Sequence, residues 1–91
     1  MLNIIWRDTA LEDLRSVVSY IFERNPVAAA KMDSLITQSA EKLAESPYMG
    51  RIGRVSGTRE FVMHPNYILV YKIMIGEPHI IHVLHGSRKY P

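Results

Sequence analysis

The fold of this chain is decided by residues 59–85, which read REFVMHPNYILVYKIMIGEPHIIHVLH. β-Branched and aromatic residues dominate this stretch, and Pro65-Asn66 and Gly76-Glu77-Pro78 interrupt it. Apolar runs bounded by turn residues are typical of β-strands. We therefore predict an antiparallel meander of three strands, at about 59–64, 67–75 and 79–85.

A short strand and two helices precede the meander. Residues 2–6 are apolar and β-branched, and Thr9 followed by Glu12 has the spacing of a capping box, which predicts that a helix starts here. Apolar residues recur at helical spacing as far as Phe22, which leaves Asp13 among the residues predicted to face water. Asn25 and the proline after it end this helix and cap the next one.

The second helix ends before Pro47 and carries one apolar stripe, formed by Ala29, Met32, Leu35, Ile36, Ala40 and Leu43. Residues 46–57 are rich in glycine and predict a loop, in which Arg51 and Arg54 are solvated cations. The predicted fold class is α+β, with one domain over residues 1–91. Its order is β-α-α-β-β-β, with an antiparallel helix hairpin packed on the meander.

The charge is divided unevenly along the chain. Five basic and seven acidic residues precede Ser46, whereas six basic and two acidic residues follow Glu45, so the halves carry −2 and +4. This asymmetry indicates an anionic partner for the second half, either nucleic acid or an acidic protein segment, although ordinary surface solvation explains it equally well.

The sequence favours a cytoplasmic protein without a membrane anchor. The apolar run at the N-terminus lacks a basic leader and a small-residue cleavage site, which argues against a signal peptide. Lys72 interrupts the longest apolar stretch well short of the roughly 20 residues that a membrane span needs. The chain contains no cysteine, which fits a reducing compartment and excludes disulfides and thiolate metal sites.

The histidines of the last strand do not predict a metal site. His79 and His85 share one face of a strand and His82 points to the other, so three ligands cannot converge. We expect neither a metal nor a cofactor.

The predicted register places Val62 beside Leu69 and Leu69 beside His85, which assigns the strand residues to two apolar faces. One face carries Glu60, Val62, Tyr67, Leu69, Tyr71, Ile73, Ile81, Val83 and His85, and the other carries Arg59, Phe61, Met63, Ile68, Val70, Lys72, Met74, Ile80, His82 and Leu84. Two helices cover only one face, so the second should remain as an apolar patch rimmed by Arg59, Lys72 and His82. A partner, the C-terminal tail or a second copy of the chain could bury it.

One end of the sheet should gather polar and aromatic side chains, namely His64, Pro65, Tyr67, His85, Arg88 and Tyr90. Such a cluster can bind phosphate, stack on bases or transfer protons. As a catalyst it is incomplete, because the sheet interior adds only Arg59, Lys72 and His82 as polar groups.

The whole chain resembles the RelE/ParE superfamily of bacterial toxins. The resemblance rests on Ala10-x-x-Asp13-Leu14, Gly57-x-Arg59-Glu60, the run from His64-Pro65-Asn66-Tyr67 to Tyr71, and the ending His85-x-x-Arg88-x-x-Pro91. Members of the RelE type cut messenger RNA on the ribosome, and members of the ParE type inhibit DNA gyrase.

Three features of the sequence favour the ParE type. The endonuclease type usually has an arginine after the tyrosine that opens the central strand, and this chain has Ile68 there. The His64-Pro65-Asn66-Tyr67 turn and the His85-x-x-Arg88 ending also resemble the ParE type. The resemblance thus implies a gyrase-binding toxin that is not an enzyme, for which we predict target contacts by Arg59, His85, Arg88 and Tyr90.

Two alternatives remain open. In a ribosome-dependent endoribonuclease, His82 or His85 would serve as base or acid, and Arg59 and Arg88 would hold phosphate. In an inactive module, the chain would only join an antitoxin in repressing their operon.

Membership of the superfamily also implies a cognate antitoxin, whose disordered segment folds along the toxin, and hence a hetero-oligomer. We predict that it binds the uncovered sheet face at Phe61, Ile68, Val70 and Lys72. A charge at Ile68 or Val70 should then weaken antitoxin binding.

Overall fold

The computed structural model describes residues 3–86, which form two helices and one five-stranded sheet. The elements are β1 Ile5–Trp6, α1 Asp8–Arg24, α2 Pro26–Glu45, β2 Arg51–Ile52, β3 Arg59–His64, β4 Tyr67–Met74 and β5 Glu77–His85. The strand order is β1-β5-β4-β3-β2, in which β1 runs parallel to β5 and the other pairs are antiparallel. The predicted α+β fold and element order are confirmed. The sheet is nevertheless mixed, and β2 lies inside the predicted loop.

The start of α2 follows the prediction, whereas the start of α1 does not. The Asn25 side chain accepts a hydrogen bond from the backbone N–H of Ala28 at 3.1 Å, and Pro26 occupies the first turn of α2. No side chain caps α1. The predicted capping box is wrong, because Thr9 lies within α1 and its hydroxyl donates to the Ile81 carbonyl at 2.6 Å. Neither helix of residues 3–86 is apolar over a stretch long enough to cross a bilayer.

The core lies between the helix hairpin and one face of the sheet. It consists of Ala10 on α1, Met32, Ile36, Ala40 and Leu43 on α2, and Leu69, Tyr71, Ile80 and Val83 on the two central strands. The predicted α2 stripe is buried here, apart from Leu35, which is partly exposed. Burial of these side chains is the main force that holds the two layers together.

Two bulges change the register from the predicted one. The first lies between Val62 and His64, so Phe61 pairs with Leu69 and Val62 pairs with Ile68. The second lies where Val70 faces His82 but Tyr71 faces Ile80, which leaves Ile81 as the extra residue. Leu69 faces Val83 and not His85 because the β4–β5 turn is shorter than predicted, and both predicted pairings are wrong.

The bulges also correct the assignment of faces. Phe61 and Ile80 belong to the face that the helices cover, whereas Glu60 and Val62 lie on the opposite face. On that opposite face Ile68, Val70 and Leu84 form a second buried cluster. The predicted open apolar patch is therefore wrong at its centre, although Val62 at its margin remains 50% exposed.

Tyr71 fixes the loop after α2 to the sheet. Its buried hydroxyl donates to the Pro47 carbonyl at 2.7 Å and accepts from the Gly50 backbone N–H at 2.9 Å. A Cβ on Gly50 would lie 2.5 Å from this hydroxyl, so the approach requires glycine. Burial raises the pKa of Tyr71 and outweighs the opposing effects of the Gly50 hydrogen bond and the Arg59 charge.

Removal of the Tyr71 hydroxyl should destabilise the fold. We expect Tyr71→Phe to lower the free energy of unfolding by about 1 to 3 kcal/mol, because the Pro47 carbonyl and the Gly50 N–H lose a shared buried partner. Urea denaturation measures the effect, and Tyr48→Phe is the control, since Tyr48 is 69% exposed. Equal stability of the two variants would contradict this role of Tyr71.

The turn between β4 and β5 is tighter than predicted. Met74 pairs with Glu77, so the loop consists of Ile75 and Gly76 and not of Gly76-Glu77-Pro78. Both loop residues have positive φ, 52° for Ile75 and 74° for Gly76. Two-residue hairpin loops of this kind favour asparagine or glycine, and an isoleucine is rare at such a position.

Candidate functional site

Aromatic and histidine side chains meet where β4 begins and β5 ends. Tyr67 pairs in register with His64 on β3 and with His85 on β5. The Tyr67 ring lies 5.8 Å from the His64 ring and 5.2 Å, edge to face, from the His85 ring. The predicted convergence of these three residues is confirmed, and we call them the sheet-end cluster.

The backbone around the cluster is held by the adjoining turn. The Asn66 N–H donates to His64 Nδ1 at 3.0 Å, which orients the imidazole, and the Gly86 N–H donates to the Asn66 carbonyl at 2.6 Å. The second bond joins the end of β5 to the β3–β4 turn. The cluster therefore sits on a fixed backbone, as a recognition surface requires.

An open groove of about 450 Å³ separates the sheet-end cluster from α1. Its lining combines aromatic, aliphatic and polar side chains, namely Asp13, Ser16, Val17, Tyr20, Tyr67, Val83 and His85. The Arg24 guanidinium lies 3.7 Å above the Tyr20 ring and adds a cation beside the groove. Such a lining suits a peptide segment or an aromatic group of a partner.

Asp13 joins α1 to the outer edge of β5. Its Oδ2 accepts from the Val83 backbone N–H at 3.1 Å and lies 2.9 Å from His82 Nδ1. The prediction that Asp13 only faces water is wrong, because β1 pairs only with residues 79 and 80 and leaves the Val83 N–H in need of an acceptor. His82 is thus held against α1 and lies outside the sheet-end cluster.

Glu60 lies at the centre of an ionic cluster on the opposite face of the sheet. Its side chain is only 1% exposed and accepts from Arg51 Nη2 at 2.9 Å and from Arg54 Nε at 3.1 Å. The Arg54 backbone N–H also donates to it at 3.1 Å. We call these three residues the Glu60 cluster.

The pKa of Glu60 reflects two opposing effects. Burial alone would raise it, but the hydrogen bonds from the Arg54 backbone, from the Arg54 side chain and from Arg51 together bring it below the usual value. The prediction that Arg51 and Arg54 are solvated cations is wrong, because both donate to Glu60. The missing signal was β2, which pairs Arg51 directly with Glu60.

Of the predicted target contacts, the structure places His85 in the sheet-end cluster and Arg59 elsewhere. Arg59 pairs with Tyr71, four residues and about 13 Å along β4 from Tyr67. Its guanidinium donates to the carbonyls of Tyr48 and Gly50, at 3.2 and 2.6 Å, and lies 5.1 Å from the centre of the Tyr48 ring. Arg88 and Tyr90 lie outside the described residues.

The four residues predicted to bind an antitoxin do not share one face. Phe61 packs against the core on the helix side of the sheet, whereas Ile68 and Val70 are buried on the opposite side. Lys72 is exposed. A charge at Ile68 or Val70 would therefore disturb the fold before it could test a binding surface.

Metal ligands do not converge in the part of the chain that the structure describes. Among residues 3–86, no group of three or more histidine, aspartate or glutamate side chains is arranged to hold an ion.

Comparison with known proteins identifies relatives over nearly the whole chain. The family model described as "ParE toxin of type II toxin-antitoxin system, parDE" matches residues 4–90. Toxin RelE2 of Caulobacter vibrioides is 34% identical over 88 residues, which cover 97% of this chain and 99% of the relative.

Solved structures share the fold. The chromosomal ParDE system of P. aeruginosa matches with a TM-score of 0.83 at 19% identity, over 93% of this chain and 96% of the other. The RelBE2 toxin–antitoxin complex of Mycobacterium tuberculosis matches with a TM-score of 0.66 at 22% identity, over 92% and 96%.

The helix hairpin on one sheet is the fold that these solved structures share with the chain, and the family-model match together with the 34% identity to Toxin RelE2 places the chain in the RelE/ParE class of small toxins. Within this class, the chain belongs to the ParE toxin family of type II toxin–antitoxin systems.

Proposed function

We propose that this toxin inhibits DNA gyrase, thereby blocks replication, and is neutralised by a cognate antitoxin in the cytoplasm. The observation that carries the proposal is the use of the arginines near the sheet. Arg51 and Arg54 bind Glu60, and Arg59 binds two loop carbonyls, so these cations maintain the fold. Cleavage of RNA needs cations gathered around one phosphate together with a base and an acid.

The two candidate proton-transfer groups also lie apart. His85 faces the same side of the sheet as Tyr67, whereas His82 is in register with Val70 and contacts Asp13. One phosphate placed at the sheet-end cluster would meet His85 but not His82. This geometry favours a binding surface over a nuclease site.

We place the target contact at the sheet-end cluster and the neighbouring groove. Tyr67 and Tyr20 belong to one of the residue types that contribute most at protein interfaces, and His85 adds a third ring beside them. Arg88 and Tyr90 follow β5 in sequence and are proposed to extend this contact, with Arg59 as a separate one. The antitoxin is proposed to bind the sheet face that carries Val62, Ile68, Val70 and Lys72.

A second candidate function is ribosome-dependent cleavage of messenger RNA. The observation that favours it is the 34% identity to a relative named RelE2, together with the shared fold of the RelBE2 complex. In that case His82, His85, Arg59 and Arg88 are the residues to test.

A supercoiling assay with purified DNA gyrase tests the proposal. We expect the toxin to inhibit supercoiling, excess antitoxin to restore it, and His85→Ala to weaken the inhibition about tenfold. Gln38→Ala on the exposed side of α2 is the control and should inhibit like the wild type. Primer extension on transcripts after induction should show uncut messages. Cut messages and an active gyrase would instead establish the nuclease.

A further inference from the structure

We propose that the tip of the β4–β5 hairpin, residues 73–76, is a second contact with the protein target, in which Ile75 enters an apolar pocket of that target. The inference rests on the proposed function to the extent that the target is a protein. It adds a contact far from the sheet-end cluster, because Tyr67 and Met74 lie at opposite ends of β4, about 24 Å apart.

The backbone conformation of Ile75 destabilises the fold, and its exposed side chain adds no packing that would offset this. Its φ of 52° is a left-handed conformation that β-branched residues rarely adopt, and its side chain is 100% exposed. Asparagine or glycine would form the same turn without strain. Strained residues that persist without a structural benefit concentrate at functional sites, where the side chain has a task.

The surroundings of Ile75 extend the apolar surface. Met74 is 42% exposed on one side of the tip. On the other side, Ile73 lines a shallow groove together with Tyr48 and Ile52, which are 69% and 74% exposed. A convex apolar tip beside a groove fits a partner that offers a pocket for the tip.

The charges around the tip identify the chemistry of the partner. Arg7 and Lys72 line a groove with Met74, and Arg7 Nη2 lies 3.3 Å from the Met74 sulfur. Arg59 lies in the groove on the other side, so three cations flank the tip, against Asp8 and Glu77 as the nearby acids. We therefore expect a protein pocket that is apolar inside and carries carboxylates at its rim. An RNA partner fits less well, since isoleucine has no ring to stack on a base.

Three single variants test the contact. Ile75→Asn removes both the strain and the apolar side chain, Ile75→Leu keeps an apolar side chain, and Val27→Asn is the control, because Val27 is 65% exposed on α2. The measurements are the melting temperature, the affinity for the cognate antitoxin, inhibition of purified gyrase, and growth inhibition in cells.

We expect Ile75→Asn to melt several degrees above the wild type and to bind antitoxin within about twofold of the wild type, yet to inhibit gyrase and growth about 30-fold less well. Ile75→Leu and Val27→Asn should inhibit like the wild type. Gain of stability with loss of toxicity in one variant would show that the strained side chain acts on the target.

Other outcomes overturn the proposal. Full toxicity of Ile75→Asn would show that the tip touches no target, and equal losses in Ile75→Leu and Ile75→Asn would show that the side chain is not inserted in a pocket. Loss of toxicity in Lys72→Gln with full toxicity in Ile75→Asn would indicate an RNA target instead. If wild-type toxin leaves gyrase active, the proposed function fails, while growth inhibition by the Ile75 variants still decides whether the tip contacts a target.

Discussion

Glu60→Gln should lower the free energy of unfolding by about 2 to 3 kcal/mol, because it removes the charge that holds Arg51 and Arg54 and places an amide N–H₂ against their donors. The Glu60 side chain is 1% exposed, whereas those of Arg51 and Arg54 are 59% and 41% exposed. The arginines can therefore turn toward water in the variant, which keeps the loss below that of a fully buried pair.

The same substitution should change how stability depends on pH. The pKa of Glu60 is lower in the folded chain than its usual value, so its contribution is present in full above the unfolded-chain pKa of about 4.3. The contribution is lost as the pH falls through the folded-state pKa. We expect wild-type stability to decline more steeply below pH 5 than that of Glu60→Gln.

Urea denaturation at pH 7 and at a series of pH values below 5 measures both effects. Glu41→Gln is the control, because Glu41 is an exposed carboxylate on α2. A double-mutant cycle with Arg54→Ala isolates the interaction, and Glu60→Gln should cost less when Arg54 is already absent. Additive losses and parallel pH profiles would show that the Glu60 cluster does not act as a unit.

Most of the fold could be predicted from the sequence because its signals are local. Helical spacing, the Asn25-Pro26 cap and the Pro65-Asn66 turn each act within a few residues, and each is found where the pattern predicts it. The sheet-end cluster follows from the same turn, since residues on either side of a tight hairpin loop must be neighbours.

The rest depended on features that leave little trace in a single sequence. The bulges at Met63 and Ile81 each add one residue to a strand, and one residue is enough to exchange the two faces of a sheet. β2 is only two residues long within a glycine-rich segment, so the partners of Glu60 could not be identified. The surroundings of Asp13 were predicted wrongly because helical periodicity does not reveal that the Val83 backbone N–H, on the edge of the neighbouring strand, needs an acceptor.

The largest effect is expected at Val70, which is completely buried on the sheet face opposite the helices. Val70→Asp would place a carboxylate beside Ile68 and Leu84 and directly across from the buried Glu60 carboxylate, which already accepts the hydrogen bonds of Arg51 and Arg54. We expect a loss of more than about 4 kcal/mol, which is most of the stability of a domain at the lower end of the usual range of about 5 to 15 kcal/mol, so the thermal transition followed by circular dichroism should move far below that of the wild type. A cooperative transition close to that of the wild type would show that this cluster is accessible to water.

The substitution Val62→Glu, on the same face of the sheet, tests whether the antitoxin binds this face. Val62 is 50% exposed and pairs with Ile68, so a glutamate can reach water and the fold should survive. If the antitoxin covers this face, calorimetric titration should show its affinity reduced at least tenfold by the buried charge, whereas Val27→Glu on α2 should bind normally. Equal affinities for both variants would contradict antitoxin binding at this face, because a segment lying over Ile68, Val70 and Lys72 would have to cover the new carboxylate at Val62.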